Sequence, residues 1–164
     1  YKEVKMFRDM ASAAKNAYGQ VSLNYELSGK LNESMYPIMP SLAGKGSLTL
    51  NNIKFKGFKL LNQIARKSSY ESLEDADVNK VEIKSSIKNN IMTIERTKMR
   101  MAGFRPRFEG QVSLNGNMNM AMRIGLPPLG IIGIPVKITG TQEKPIIKIG
   151  RQTKADELEE TTEE

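Results

Sequence analysis

Apolar residues recur along this chain with two different periods. Over residues 1–18, YKEVKMFRDMASAAKNAY, the positions Val4, Phe7, Met10 with Ala11, and Ala14 fall three or four apart with charges between them. That spacing predicts an amphipathic helix, with Gly19 placed to stop it. From there the period drops to two. VSLNYEL sets Val21, Leu23, Tyr25 and Leu27 on one face, the alternation of a half-buried strand. Residues 31–46 carry Pro37 and Pro40 and end in Gly44 and Gly46, which predicts a loop or short helical turn. In GSLTLNNIKFKG, Leu48 and Leu50 are followed by Ile53 and Phe55, a one-residue change of phase across Asn51-Asn52 that predicts a bulge or tight turn. Helical spacing returns at residues 58–67, where Phe58, Leu61 and Ile64 with Ala65 share a stripe that ends in Arg66-Lys67.

Two hairpins follow. Val81, Ile83 and Ile87 alternate up to Asn89-Asn90, which tolerate the positive φ of a tight turn, and Ile91, Met92 and Ile94 begin the return. Val112 and Leu114 lead to the turn signal Asn115-Gly116, and Met118, Met120, Met122 and Ile124 alternate after it. An apolar Gly/Pro loop then leads into two short strands ending at Gly150. The expected class is α+β: a curled, mainly antiparallel meander of roughly six to eight strands, with an N-terminal helix and one short inserted helix. Each strand has one apolar and one polar face, so one side of the sheet should be covered and the other wet.

Composition narrows the chemistry. The 164 residues contain no cysteine and no histidine, which removes thiolate nucleophiles, Cys/His zinc sites and His-based catalytic triads from this chain. Hydrophobic residues at 39% and charged residues at 26% describe a soluble globular chain rather than a disordered one. No apolar run approaches the roughly 20 residues a helix needs to cross a bilayer. The net charge of +7 hides an asymmetry, because ADELEETTEE at the end holds six acids and no base. Without those six, 25 bases face 12 acids, a net charge of +13 for residues 1–154. Residues 1–150 are expected to form one domain, read as a piece of a longer protein because it begins at Tyr1, and residues 151–164 an acidic, disordered tail. A body so basic is drawn to anionic partners, although scattered lysines also serve simply to keep a β-rich surface dispersed.

Candidate sites are few. GIIGIPVKITG does not run from a strand into a helix, so it is not a phosphate loop. Glu71, Glu74 and Asp75 cluster in SSYESLEDAD, but their spacing fits neither a calcium loop nor a carboxylate pair and reads as a solvated helix cap. RTKMRMAGFRPRF supplies Arg96, Lys98, Arg100, Arg105 and Arg107 around Phe104 and Phe108, a candidate surface for anions. Interleaved bases and aromatics also suit single-stranded nucleic acid, but Arg96, Lys98 and Arg100 fall on one solvated face opposite Met99 and Met101. Met118, Met120 and Met122, with Val112, Leu114 and Ile124, form an adaptable apolar face that suits acyl chains. The alternative is an ordinary core under a helix. No catalytic residue, metal site or cofactor is expected.

Taken in order, these segments resemble the C-terminal region of the AsmA family of bacterial envelope proteins, over residues 19–150. SLAGKGSLTLNNIKFKGFKLLNQIA is similar to the family's Gly-flanked strand feeding a short helix. VEIKSSIKNNIMTIERTKMRMAG and FEGQVSLNGNMNMAMRI resemble its two following hairpins. IPVKITGTQEKPIIKI matches its closing signature through Pro135, Gly140, Thr141 and Pro145. Asn117, Asn119 and methionines stand where the family usually has Asp and Tyr, so the polar contacts made there do not carry over. The resemblance implies a non-enzymatic periplasmic module, anchored to the inner membrane by a missing N-terminal segment. It would take part in outer-membrane biogenesis, its apolar sheet face conducting lipid as in bridge-like lipid-transfer proteins. The expected partners are lipids or an anionic membrane surface, with an envelope protein also possible and no nucleic acid. The alternative is a docking module with a closed core, and the two diverge on whether the methionine face is open or covered.

Overall fold

A computed structural model describes residues 17–55, 66, 77–101, 103–141 and 143–150. Eight strands run in chain order among them: β1 (Ala17–Ser28), β2 (Ala43–Phe55), β3 (Asp77–Lys88), β4 (Ile91–Lys98), β5 (Arg105–Ser113), β6 (Asn117–Gly125), β7 (Gly133–Thr141) and β8 (Pro145–Ile149). Each pairs antiparallel with the next, so the sheet order is the sequence order. A 3-10 turn, Met39–Ser41, interrupts the β1–β2 connection.

This corrects the expected α+β class. No described residue lies in a helix of seven or more residues. Ala17 and Tyr18, assigned by their spacing to the end of a helix, instead open β1. Gly19 does not stop a helix: it sits within β1 at φ +148°, and a Cβ there would lie 2.5 Å from the Asn52 carbonyl oxygen. Helical spacing around Ala14 has no power over residues whose neighbours across the sheet supply their hydrogen bonds. The remainder of the expected N-terminal helix, the inserted helix apart from Arg66, the cluster Glu71, Glu74 and Asp75, and the tail 151–164 lie outside the described residues.

The turns form where the sequence provides the backbone they need. Asn89 and Asn90 both take positive φ, 52° and 64°, as the two central residues of the β3–β4 turn. Gly116, at φ 92°, closes the β5–β6 turn. Asn52, at φ 51°, marks the predicted bulge, and β1 shifts register against β2 between Tyr18 and Gln20. A second bulge falls in β4 between Ile94 and Thr97.

Alternation then sorts the side chains by face. One row crosses the whole sheet as Leu27, Gly44, Ile87, Met92, Val112, Met118, Gly140 and Pro145. The row beside it crosses as Tyr25, Gly46, Ser85, Ile94, Gly110, Met120, Ile138 and Ile147. On the opposite face a row runs Glu26, Lys45, Ser86, Thr93, Gln111, Asn119, Thr139 and Ile146. The sheet is apolar on one side and polar on the other, as a period of two requires.

The apolar side is not buried evenly. Val78 and Val81 of β3 share one buried cluster with Ile124, Val136, Ile138 and Ile147 of β6 to β8, together with Met101 and Phe104. The β4–β5 connection turns inward to form that plug: Met101 and Phe104 exchange backbone hydrogen bonds at 3.1 and 2.8 Å and are 5% and 4% exposed. Strands three to five places apart meet around it, which requires the sheet to bend toward its apolar face. A smaller cluster, Ile87 and Leu114, lies under Met39 and Leu42 of the β1–β2 connection.

Candidate apolar face and basic cleft

The predicted apolar residues divide by burial. Ile124 and Leu114 are 1% and 3% exposed. Val112, Met118, Met120 and Met122 are half-buried, and the three methionines pack on the main cluster. In this row Met122 stands between Phe108 of β5 and Val136 of β7. The methionine strand is therefore largely core.

The open part of the same face is β1, where Val21, Leu23 and Leu27 are 55%, 60% and 47% exposed. These residues are in register with Leu50, Leu48 and Gly44 of β2, so the exposed apolar strip continues the buried one without a break in pattern. Tyr25 holds β1 in place. Its ring lies against Gly46 of β2, where the absent side chain leaves room. Its hydroxyl then reaches across to Ser85 Oγ of β3 at 3.0 Å.

The predicted bases also divide. Lys98, Arg100, Arg105 and Arg107 line a cleft of about 890 Å³ together with Lys80 and Arg123, and no acidic side chain lines it among the described residues. The cleft sits where β4 ends, β5 begins and β6 runs into the β6–β7 connection, with Leu129, Gly130 and Ile131 forming one wall. Arg96 is elsewhere. Its Nε donates to Glu109 Oε2 at 3.0 Å and its Nη2 to Oε1 at 3.3 Å, a forked pair on a partly exposed surface. Past the β4 bulge, which lies between Ile94 and Thr97, Lys98 is in register with Arg107, while Arg96 is held by Glu109. Phe104 and Phe108, 4% and 8% exposed, belong to the core and offer no ring for stacking.

Sequence reasoning missed Lys80, Arg123 and the β6–β7 connection. Arg123 is 3% exposed, and its Nη1 and Nη2 donate to the carbonyl oxygens of Gly130 and Ile131 at 3.0 and 2.7 Å. Gly133 accommodates that guanidinium, since a Cβ there would lie 2.5 Å from its central carbon. Backbone bonds from Leu126 N to Ile132 O and from Gly130 N to Leu126 O, both 2.8 Å, close the loop, which contains a cis Pro127–Pro128 bond. Pinned at its base, the loop leaves Leu129, Ile131 and Ile132 at 60%, 77% and 73% exposure. The legible signal was LPPLGII itself: beyond Leu126, which packs on the main cluster, it sets three more large aliphatic residues in a loop that burial does not require.

Among the described residues, no group of three or more acidic, His or Cys side chains is placed to hold a metal ion. No helix among them is long and apolar enough to cross a membrane. No family model, curated protein or solved structure matches the chain.

Proposed function

We propose that this chain is a non-enzymatic module of the cell envelope that handles lipid along the open, β1 end of its apolar sheet face. The observation that carries the reading is the strip Val21, Leu23 and Leu27, which stays about half exposed while the same face is buried at Ile124, Val136, Ile138 and Ile147 of β6 to β8. An acyl chain laid along it would bury apolar area at about 25 cal/mol per Å² and needs no reacting group. The periplasmic location, the role in outer-membrane biogenesis and the inner-membrane anchor rest on the AsmA resemblance alone.

A second reading has its own support. The covered face of Met118, Met120 and Met122 suits a closed-core docking module, and β1 is an edge strand that can accept a partner's strand. Native mass spectrometry after incubation with phospholipid separates the two. Lipid adducts on the wild type that disappear in Leu23→Glu support lipid handling. Absence of any adduct under all lipid conditions would discard it and leave the docking module.

A further inference from the structure

We infer that the basic cleft and the aliphatic loop beside it form a docking site for an anionic phospholipid bilayer surface. Two features of different chemistry adjoin there. Lys80, Lys98, Arg100 and Arg105 are all exposed, around a cleft that no acidic side chain lines among the described residues. Immediately next to them Leu129, Ile131 and Ile132 project at 60%, 77% and 73% exposure.

Each feature alone has an ordinary explanation, but the combination selects the partner. Exposed aliphatic side chains at a loop tip gain by entering the acyl boundary of a bilayer, and bases at the level of the head groups are attracted to the phosphates above it. A nucleic acid would use the basic side chains, but it has no use for three aliphatic side chains and finds no aromatic ring in the cleft among the described residues. A protein groove would use the aliphatic residues, but it does not call for this concentration of charge of one sign.

The loop is also built to keep its shape at a surface. Arg123 fixes the carbonyls of Gly130 and Ile131 from beneath. Gly130, at φ +76°, turns the chain against the stem of Arg105, whose Cδ would lie 3.0 Å from a Cβ there. That contact ties the aliphatic tip to the basic wall, so the two meet a membrane together. Arg123 is a positioning residue in this arrangement, already occupied by the loop. The phosphate contacts fall to Lys98, Arg100 and Arg105.

This site lies apart from the β1 strip and does not depend on lipid being carried there. Co-sedimentation of the 164-residue chain with vesicles tests it, using pure phosphatidylcholine and phosphatidylcholine mixed with phosphatidylglycerol, with inorganic phosphate as a separate arm. The expected result is binding to the mixed vesicles only, weakening as salt is added. Arg100→Gln with Arg105→Gln should lower that binding about tenfold or more. Ile131→Ser with Ile132→Ser should lower it by a similar factor, and both pairs should melt like the wild type because the changed side chains are exposed. Leu23→Glu should leave vesicle binding unchanged, which separates this site from the β1 strip. Equal binding to both vesicle types overturns the proposal, as does binding indifferent to either pair of substitutions. Saturable binding of inorganic phosphate with no vesicle binding also overturns it, and assigns the cleft to a soluble anion.

Discussion

The two ends of the apolar face carry the same kind of residue and behave differently. At β7, Val136 and Ile138 are 0% and 2% exposed; at β1, Val21 and Leu23 are 55% and 60% exposed. Hydrophobicity does not separate them, and neither does the alternation along the strand. The difference lies in what the sheet brings opposite. Around Met101 and Phe104 the bend gathers β3 and β6 to β8 into one cluster, while among the described residues β1 contributes only Tyr25, on the smaller cluster. A pattern of period two tells which side is apolar; it does not tell how far the sheet folds over that side. The apolar surface that function can use is therefore the part of the face left outside the bend.

The largest test of this contrast places one charge at each end. Val136→Glu puts a carboxylate where no water reaches and should cost several of the roughly 5–15 kcal/mol that hold a domain together. Chemical denaturation should show most of the cooperative transition lost. Leu23→Glu, with the same charge at the open end, should change stability by less than about 1 kcal/mol. Equal losses for the two would dissolve the distinction between the ends.

Met122→Glu probes the boundary. Its side chain is half-buried on the main cluster, so the expected loss lies between those two, about 2–3 kcal/mol in the same denaturant series. A loss as small as that of Leu23→Glu would extend the open strip to β6. Tyr25→Phe comes next. It removes the hydroxyl that meets Ser85, 8% exposed, and should lower stability by about 1 kcal/mol. The loss should appear as faster amide exchange in β1 with little change in β7. Uniform acceleration would mean that β1 is not held separately. Smallest of all is Arg96→Ala. Its pair with Glu109 is partly exposed, so the change should cost no more than about 1 kcal/mol and shrink further in added salt. It should not alter vesicle binding, because Arg96 stands outside the cleft.

Much of the fold was legible because local chemistry set it. Asn89-Asn90 and Asn115-Gly116 mark turns through backbone geometry alone, and the Asn51-Asn52 phase change marks the bulge. The apolar face, too, could be read from alternate residues. What failed was the α+β class, because Ala17, Tyr18 and Gly19 take strand conformation from β2 across the sheet rather than from their own spacing. The sites were read in part. Lys98, Arg100, Arg105 and Arg107 come together as grouped, but Arg96 pairs with Glu109 outside the cleft, and Lys80 and Arg123 join from strands distant in sequence. No periodicity reports such meetings. They depend on register and bend, which are properties of the assembled sheet.

The strictly sequential order of the strands has a consequence for how the molecule is made and altered. Each strand finds its partner next to it in the chain, so a hairpin such as β3–β4 or β5–β6 closes only a short loop and pays little chain entropy to do so. Folding can therefore proceed as a zipper, adding one strand at a time to an existing edge. The same order makes length a free variable. A strand gained or lost beyond Ala17 or beyond Ile149 leaves every other pairing in place, since each described strand pairs with its neighbours in the chain. The long β1 edge, twelve residues against five in β8, is the end at which such growth would find the most backbone to pair with.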